Sequence, residues 1–496
     1  MTPKEGVFSD KNNNNDYPEP FFDDYFDLSE DTEDTPEPSS PNGSHTLRNL
    51  TVIIIIVGGL LFFFPSLEWG EGDALEMFDD DFEMVDDDLI PQEEWNKTFG
   101  IPGITKVTIN SVPKGYGSES IIQTYDGGIA VAGWTATSNT TSLRKGDSTL
   151  VNKFISDDDS WIIKLDKEGN NVWDKVYEDS NFNKAYSIIQ TSDGGFAVAG
   201  EIAPSIMEEP SITKVDTPIE FKFITSQNHK GSSDFWIIKY DKDGNEVWEK
   251  TFSRSDNDGA HSIIQTSDGG YAVAGRTEPR KVWIIKLDNA GNKVWENIFG
   301  GGGGDNGKIS ITQTSDGGYA VADTIHSGEE GNYDARVVKL DRVGKVIWDK
   351  NFGGDTDDGA FSITYTSDNG CVVAGMTGSE GSNDAWIIKL DEGGNKVWDR
   401  IFGGNAHDEA RSIVRTSDEG YAVAGRTFSK GAGESDAWVM RLNEDGKMVW
   451  DKTVGGYNLD YAYSIIQTSD EGYAVAGLSR SFKPKGVWVI KLEPDP

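Results

Sequence analysis

Acidic side chains are the first groups in this chain with chemistry to offer. Asp256-Asn257-Asp258 and Asp355-Thr356-Asp357-Asp358 set hard oxygen donors one or two residues apart, a spacing that could suit calcium. Carboxylates of the same loops, Asp358 and Asp408 foremost, could act as acid and base in a hydrolase or lyase working on polysaccharide. Trp134, Arg144, Lys145 and His229 form a different group: a stacking surface, two cations and a titratable ring, suited to a protein or glycan ligand. One pattern points away from metal. Asn183, Asp258, Asn306, Asp358, Asp408 and Asp460 recur two residues before an Ala-x-Ser-like entry, with Tyr116 in the first copy. An acceptor repeated in this way reads first as one that fixes its own loop. G-x-S-x-G, H-E-x-x-H and P-loop motifs are absent from the sequence. Cys371 is the only cysteine, which excludes a disulfide within the chain and a cysteine-based zinc site. It stands where other copies carry Tyr, Phe or Ile and reads as a small buried residue. Calcium is the one ion the spacing suggests, and no other cofactor is expected.

The elements that must position these groups repeat. SIIQT-like segments begin at Ser120, Ser187, Ser262, Ser310, Ser362, Ser412 and Ser464, spaced 67, 75, 48, 52, 50 and 52 residues apart. Each is followed by a D-G-G-like turn, a YAVAG-like run, a loop, a WIIKLD-like run, a G-N-type turn and VWDK. Turn Asp and Gly are the residues tight hairpins need, and four strand-like runs per copy of about 50 residues are a propeller signature. Of the 15 Trp, 13 recur at two repeat positions, as core between neighbouring sheets would. The last copy stops at WVIKLEPDP without its fourth run, and EWNKTFG at 94–100 supplies a spare one. The predicted fold is all-β: a seven-bladed β-propeller of four-stranded antiparallel blades over 94–492, its ring closed by strand 94–100 so that no edge is left unpaired.

In such a ring the two short turns of every blade share one face, and the variable loops share the other. Long insertions fall only on the second face, at 101–119, Trp134–Asp159 and Glu201–Asp234. They are predicted to build a lid over blades 1 and 2, holding Trp134, Arg144, Lys145 and His229 as the candidate binding residues.

The N-terminal region differs in kind. Residues 1–46 are polar and acidic without periodicity and read as a disordered tail. Residues 47–67 include LTVIIIIVGGLLFFFPSL, 18 uncharged residues from Leu50 to Leu67, enough for one transmembrane helix. Residues 68–93 form an acidic stalk. Arg48 precedes the apolar run, and no Lys or Arg follows it up to residue 94. The expectation is therefore a single-pass membrane protein with a cytoplasmic N-terminus and the propeller outside. The net charge of -39 excludes the basic surface that nucleic acid requires.

LDKEGNNVWDK at 165–175 resembles the quinoprotein repeat, and Thr191-Ser192-Asp193-Gly194-Gly195-Phe196 resembles the opening of the Asp-box turn of sialidase-like propellers. Across 94–492 the repeat is similar to surface propellers of archaea and bacteria built from SIIQTSDGGYAVAG-type units. Quinoprotein dehydrogenases would imply a quinone, calcium and often a vicinal cysteine pair, which one cysteine rules out. A sialidase would imply an Arg triad, and only Arg276 and Arg426 stand at matching repeat positions. Tail, anchor, stalk and one-sided insertions together predict a membrane-anchored extracellular module that binds or scaffolds a protein or glycan. A polysaccharide hydrolase or lyase and a calcium-stabilised envelope protein are the alternatives.

Overall fold

The computed structural model describes residues 56–57, 60–61, 104–108, 115–144, 150–177, 181–204, 233–278, 281–300, 307–326, 332–379, 382–481 and 486–494. Within the compact unit Phe99–Pro496, 28 strands form seven four-stranded antiparallel sheets in meander order. Blade 3 is typical, with strands Gly259–Gln265, Tyr271–Thr277, Lys281–Leu287 and Lys293–Phe299. First strands of successive blades adjoin one another around the ring, so the protein is a seven-bladed β-propeller with its first strands around a central channel. Blade 7 takes its outermost strand from the N-terminal side, but that strand is Ile104–Thr108, paired antiparallel with Gly486–Leu492. Segment 94–100, expected in that place, lies outside the described residues. An outermost strand needs only an alternating, strand-forming segment, and ITKVT meets that condition. Of the segment expected to cross a membrane, Ile56–Val57 and Leu60–Leu61 are described, as a two-residue antiparallel pair. Among the described residues no helix is long and apolar enough to cross a membrane.

Each junction between blades has its own apolar core. At the junction of blades 2 and 3, Ala197, Ala199, Phe235 and Ile237 meet Ala260, Ile263, Tyr271, Val273 and Trp283. At the junction of blades 7 and 1, Ala474, Ala476 and Val489 meet Ile121, Val131 and Trp161. Small Ala residues in the second strands let neighbouring sheets approach, and third-strand Trp fills the space between them. Trp161, Trp236, Trp283, Trp386, Trp438 and Trp488 are all buried. Four of these indoles donate Nε1–H to the acid beside the fourth-strand Trp: Trp236 to Glu249, Trp283 to Glu296, Trp386 to Asp399 and Trp438 to Asp451. Five fourth-strand Trp rings stand edge-on to an aromatic of the next blade, as Trp248 does to Tyr271 and Trp450 to Tyr473. Cys371 is buried in this core, and desolvation pushes its thiol up to about 12.

Two hydrogen-bond circuits join the blades. The Ser of every first strand accepts a bond from the next blade's Ile N–H, in seven links of 3.2–3.3 Å that run from Ile188 N–Ser120 Oγ around to Ile121 N–Ser464 Oγ. Near the tight turns, the first-strand Gln accepts from a turn N–H of the preceding blade, as in Ser192 N–Gln265 Oε1 and, across the closure, Ser469 N–Gln123 Oε1. Tyr365 and Arg415 replace Gln in blades 5 and 6, where Ser315–Asn369 and Ser367–Glu419 side-chain bonds bridge the blades. Asn369 and Glu419 also take the left-handed turn position that Gly occupies in blades 1–4.

Within a blade, the third-strand cation reaches back to the first turn. Lys164, Lys239, Lys286, Lys339 and Lys389 pair with Asp126, Asp193, Asp268, Asp316 and Asp368 at 2.7–3.1 Å. Arg441 with Asp418 and Lys491 with Asp470 complete the set. Each Asp also accepts from a turn Thr hydroxyl and Gly N–H, as Asp268 does from Thr266 and Gly270. The Thr124 bond is the main force holding Asp126 at about 2. For Asp268, Asp316 and Asp368 partial burial opposes the shift, and the Thr, Lys and Gly bonds outweigh it, again leaving about 2.

Blade 4 departs from the pattern with charges. Arg336 replaces the third-strand Trp, Asp323 replaces the Gly paired with it, and Arg336 makes a two-pronged contact with Asp349 at 2.8 and 2.7 Å. Asp349 holds the place of the indole-accepting acid in other blades. Burial lifts the Asp323 carboxyl to about 7, with Arg336 opposing the shift and Asp349 adding to it.

Two outcomes follow. Ser262→Ala should cost about 1 kcal/mol, the ordinary worth of one hydrogen bond, read from the urea unfolding midpoint. Asp323 binds its proton more tightly folded than unfolded, where its pKa is about 3.9. Its contribution is thus complete below about pH 4 and lost as pH rises towards 7. In Asp323→Asn the fall in thermal midpoint between pH 4 and 7 should be shallower than in the parent protein.

Candidate functional site

The two ends of the channel are built differently. At one end lie the first turns (124–128 and its equivalents), where Thr N–H bonds Gly C=O, and the Thr C=O accepts from Gly N–H in blades 1–4 and from Asn369, Glu419 or Glu471 N–H in blades 5–7. The Asp, Lys, Gln and Gly residues there are engaged in the contacts already described. The opposite end carries the loops between strands two and three and the links between blades.

At that opposite end, in six blades, the first strand has a bulge at the residue between Ala or Ser and the constant Ser. A bulge re-aims the side chain it carries. The bulge residues are Glu119, Tyr186, His261, Phe361, Arg411 and Tyr463. Blade 4 begins its strand at Ser310, and there Lys308 and Ile309 take the two entry positions. These side chains meet across the channel. Lys308 Nζ, from blade 4, lies 2.8 Å from Glu119 Oε2, from blade 1, and 5.7 Å from the centre of the Tyr463 ring. Arg411 sits 4.8 Å over the Phe361 ring, and Tyr186 stands edge-on to His261 at 5.5 Å. Phe361 and Ile309 are buried, whereas Glu119, Tyr186, His261, Arg411 and Tyr463 keep partial exposure.

A belt of charge surrounds the mouth. Buried Glu409 accepts from Arg411 at 2.7 Å and forms ion pairs with Arg426 at 2.5 Å and His407 at 3.7 Å. Burial disfavours the ionised form of Glu409, but Arg411 and Arg426 overcome it and hold its pKa well below the usual range. On the other side, buried Glu201 accepts the Tyr186 hydroxyl at 2.6 Å and lies 3.7 Å from Arg276. Burial, then Arg276 and Lys308, bring His261 down to about 3, so its ring is neutral at physiological pH.

The residues singled out from sequence fall elsewhere. Trp134 follows the AVAG-like run of blade 1, at the same end of the ring, with Lys184 Nζ 4.4 Å from its ring centre. Arg144 ends the strand Ile129–Arg144, and Lys145 and His229 lie outside the described residues. That strand pairs residue by residue with Leu150–Leu165. The insertion expected to be a lid loop is therefore a two-stranded ribbon, about 30 Å beyond the blade at roughly 3.3 Å per residue. Its Thr-rich run 135–141 favours strand over loop.

The expected calcium donors Asp258, Asp357 and Asp358 accept hydrogen bonds from nearby chain. Asp258 accepts Arg254 and Ser255 N–H and the Ser255 hydroxyl, and Asp358 accepts Gly354 N–H. Asp357 accepts Tyr333 N–H, while Asp256 and Asp355 accept through their backbone carbonyls. Asp408 and Asp460 accept Gly404 and Gly456 N–H in the same way as Asp358. These bonds are the loop-fixing role that the recurrence suggests. Among the described residues no group of three or more His, Cys, Asp or Glu side chains gathers as metal ligands would. The channel residues were legible in part: with the seven copies aligned, the residue before the constant Ser varies in type while its neighbours barely change. What the sequence lacked was the bulge that turns those residues into the channel.

No family model matches the chain, and no curated protein matches it. Among solved structures, Sqt1 of Chaetomium thermophilum is 13% identical with a TM-score of 0.43, covering 77% of this chain and 96% of that one. The β-propeller domain of the Trilobed protease from Pyrococcus furiosus is 12% identical with a TM-score of 0.40, covering 78% and 95%. A protein of unknown function from Bacteroides caccae is 13% identical with a TM-score of 0.36, covering 52% and 86%. Likenesses this distant say nothing of activity or partner.

The Glu409 cluster gives a direct test. Glu409→Leu leaves Arg411 and Arg426 without their counter-charge and should cost about 3–5 kcal/mol, measured by urea unfolding. Because the Glu409 pKa is depressed in the folded protein, its contribution is present above about pH 4.5 and fades as pH falls. The penalty of Glu409→Leu should therefore shrink in acid.

Proposed function

We propose that the protein is a membrane-anchored binding module, displayed outside the cell, that recognises a protein or glycan through the channel mouth and its surrounding loops. One observation carries this reading. At the turn end the recurring residues are consumed by the fold, whereas among the described residues unlike side chains converge at the opposite mouth. Loops and strand entries on a rigid scaffold are where binding residues can vary without loss of the fold. The uncharged run at 50–67, the acidic stalk and the likeness to surface propellers of archaea and bacteria support the membrane-anchored setting. The blade 1 ribbon lies on the same face and would extend the contact surface.

The test uses the full-length protein as bait for a solubilised envelope fraction. A His261→Ala/Arg411→Gln double variant should lose its captured partner, whereas Tyr125→Ala, at an exposed turn on the opposite end, should retain it. Undiminished capture by the double variant would sink this reading. Protease added to intact cells should degrade the propeller, and full protection would overturn the outward orientation.

A further inference from the structure

We infer that the channel mouth binds a small hydroxylated carboxylate, of the size and chemistry of a single uronic acid residue such as one ending a surface glycan. This rests on the proposed role of the mouth as the binding face and names the ligand class it would take.

Three observations lead there. First, the fold does not demand these side chains. Constant Ser and Ile on one side, and Ala or Ser on the other in six blades, flank a position that varies from Glu119 through Tyr186, His261 and Arg411 to Tyr463. The constant Ser carries the inter-blade bond, while the varying residue sits in a bulge outside the strand pairing. Second, the charges facing the channel favour an anion. Four cations, Lys308, Arg411, Arg276 and Arg426, stand at the mouth against three acids, Glu119, Glu201 and Glu409, and the groups acting on neutral His261 are Arg276 and Lys308. The loop aspartates Asp258, Asp358, Asp408 and Asp460 are buried behind this ring, with their carboxylates on backbone N–H groups. Third, an ion pair spans the opening. Lys308, from blade 4, and Glu119, from blade 1, meet at 2.8 Å.

The arrangement implies an exchange. An incoming carboxylate takes the place of the Glu119 carboxylate on Lys308 and comes within reach of Arg411, trading one anion for another. Tyr186, His261 and Tyr463 line the remaining wall. Their ring faces and hydrogen-bonding atoms suit a hydroxylated ring better than a bare carboxylate. The Lys308–Glu119 pair thus acts as a plug that holds the empty site shut.

Isothermal titration of the full-length protein in detergent with D-glucuronate, D-glucose and acetate tests this. Glucuronate should bind saturably at one site per chain, with glucose and acetate at least tenfold weaker. Arg411→Gln and Lys308→Gln should each weaken glucuronate at least tenfold. Glu119→Gln, which releases Lys308, should tighten it several-fold, a gain that loss of folding cannot mimic. The inference is overturned if neither wild type nor Glu119→Gln binds glucuronate, if acetate binds as well, or if Glu119→Gln binds more weakly. Should glucuronate fail while the channel variants still lose their envelope partner, the ligand class falls and the binding face stands.

Discussion

A propeller is held together at the junctions between its blades, and the rest of this structure depends on how those junctions are made. Each sheet packs on two neighbours, so seven junctions must close at once. Ala in the second strands and Trp in the third provide the apolar fit. That fit is non-directional and would tolerate sliding of one sheet over the next. The Ser–Ile circuit adds direction: every first strand is pinned to the next by a hydrogen bond of the same geometry. Because the circuit also joins blade 7 to blade 1, closure does not rest on the outermost strand alone.

Closing the ring in this way uses up most of the polar residues in the repeat. The buried third-strand Lys would be costly without a partner, and the turn Asp both neutralises it and organises the hairpin. Four of the third-strand indole N–H groups are met by acids of the fourth strand, and the loop aspartates by their own backbone N–H groups. Asp258, Asp358, Asp408 and Asp460 thus serve as acceptors within their own loops. Freedom to vary is left at the first-strand bulges.

Blade 4 shows how far one copy can drift when a substitution is compensated. Losing an indole there brings in a guanidinium, and the acid that would have accepted the indole N–H accepts the guanidinium instead. Asp323 follows in the adjacent strand, where Gly is otherwise the rule. A Trp-to-Arg change that would be severe alone is thus accommodated by groups in register with it. The same blade lacks the bulge and supplies Lys308 to the mouth, so asymmetry in the scaffold and asymmetry in the site coincide.

Much of the ring was legible from the amino-acid order, because strand period, turn chemistry and Trp spacing are local and recur seven times. Blade number, strand order, the inter-blade role of Trp and the burial of Cys371 are all of this kind. The loop-fixing role of Asp258 and Asp358 could be read from recurrence. The rest depends on contacts between residues far apart in sequence. Which segment completes blade 7 is a competition between strands of similar pattern, and Ile104–Thr108 occupies that position. Whether residues 134–159 form a lid or a ribbon depends on pairing that composition leaves open. The channel mouth is the strongest case. Glu119 and Lys308 are separated by three blades in the chain, and only a closed ring with bulged first strands brings them to 2.8 Å. Local pattern determined the scaffold, and tertiary closure decided which side chains face one another across it.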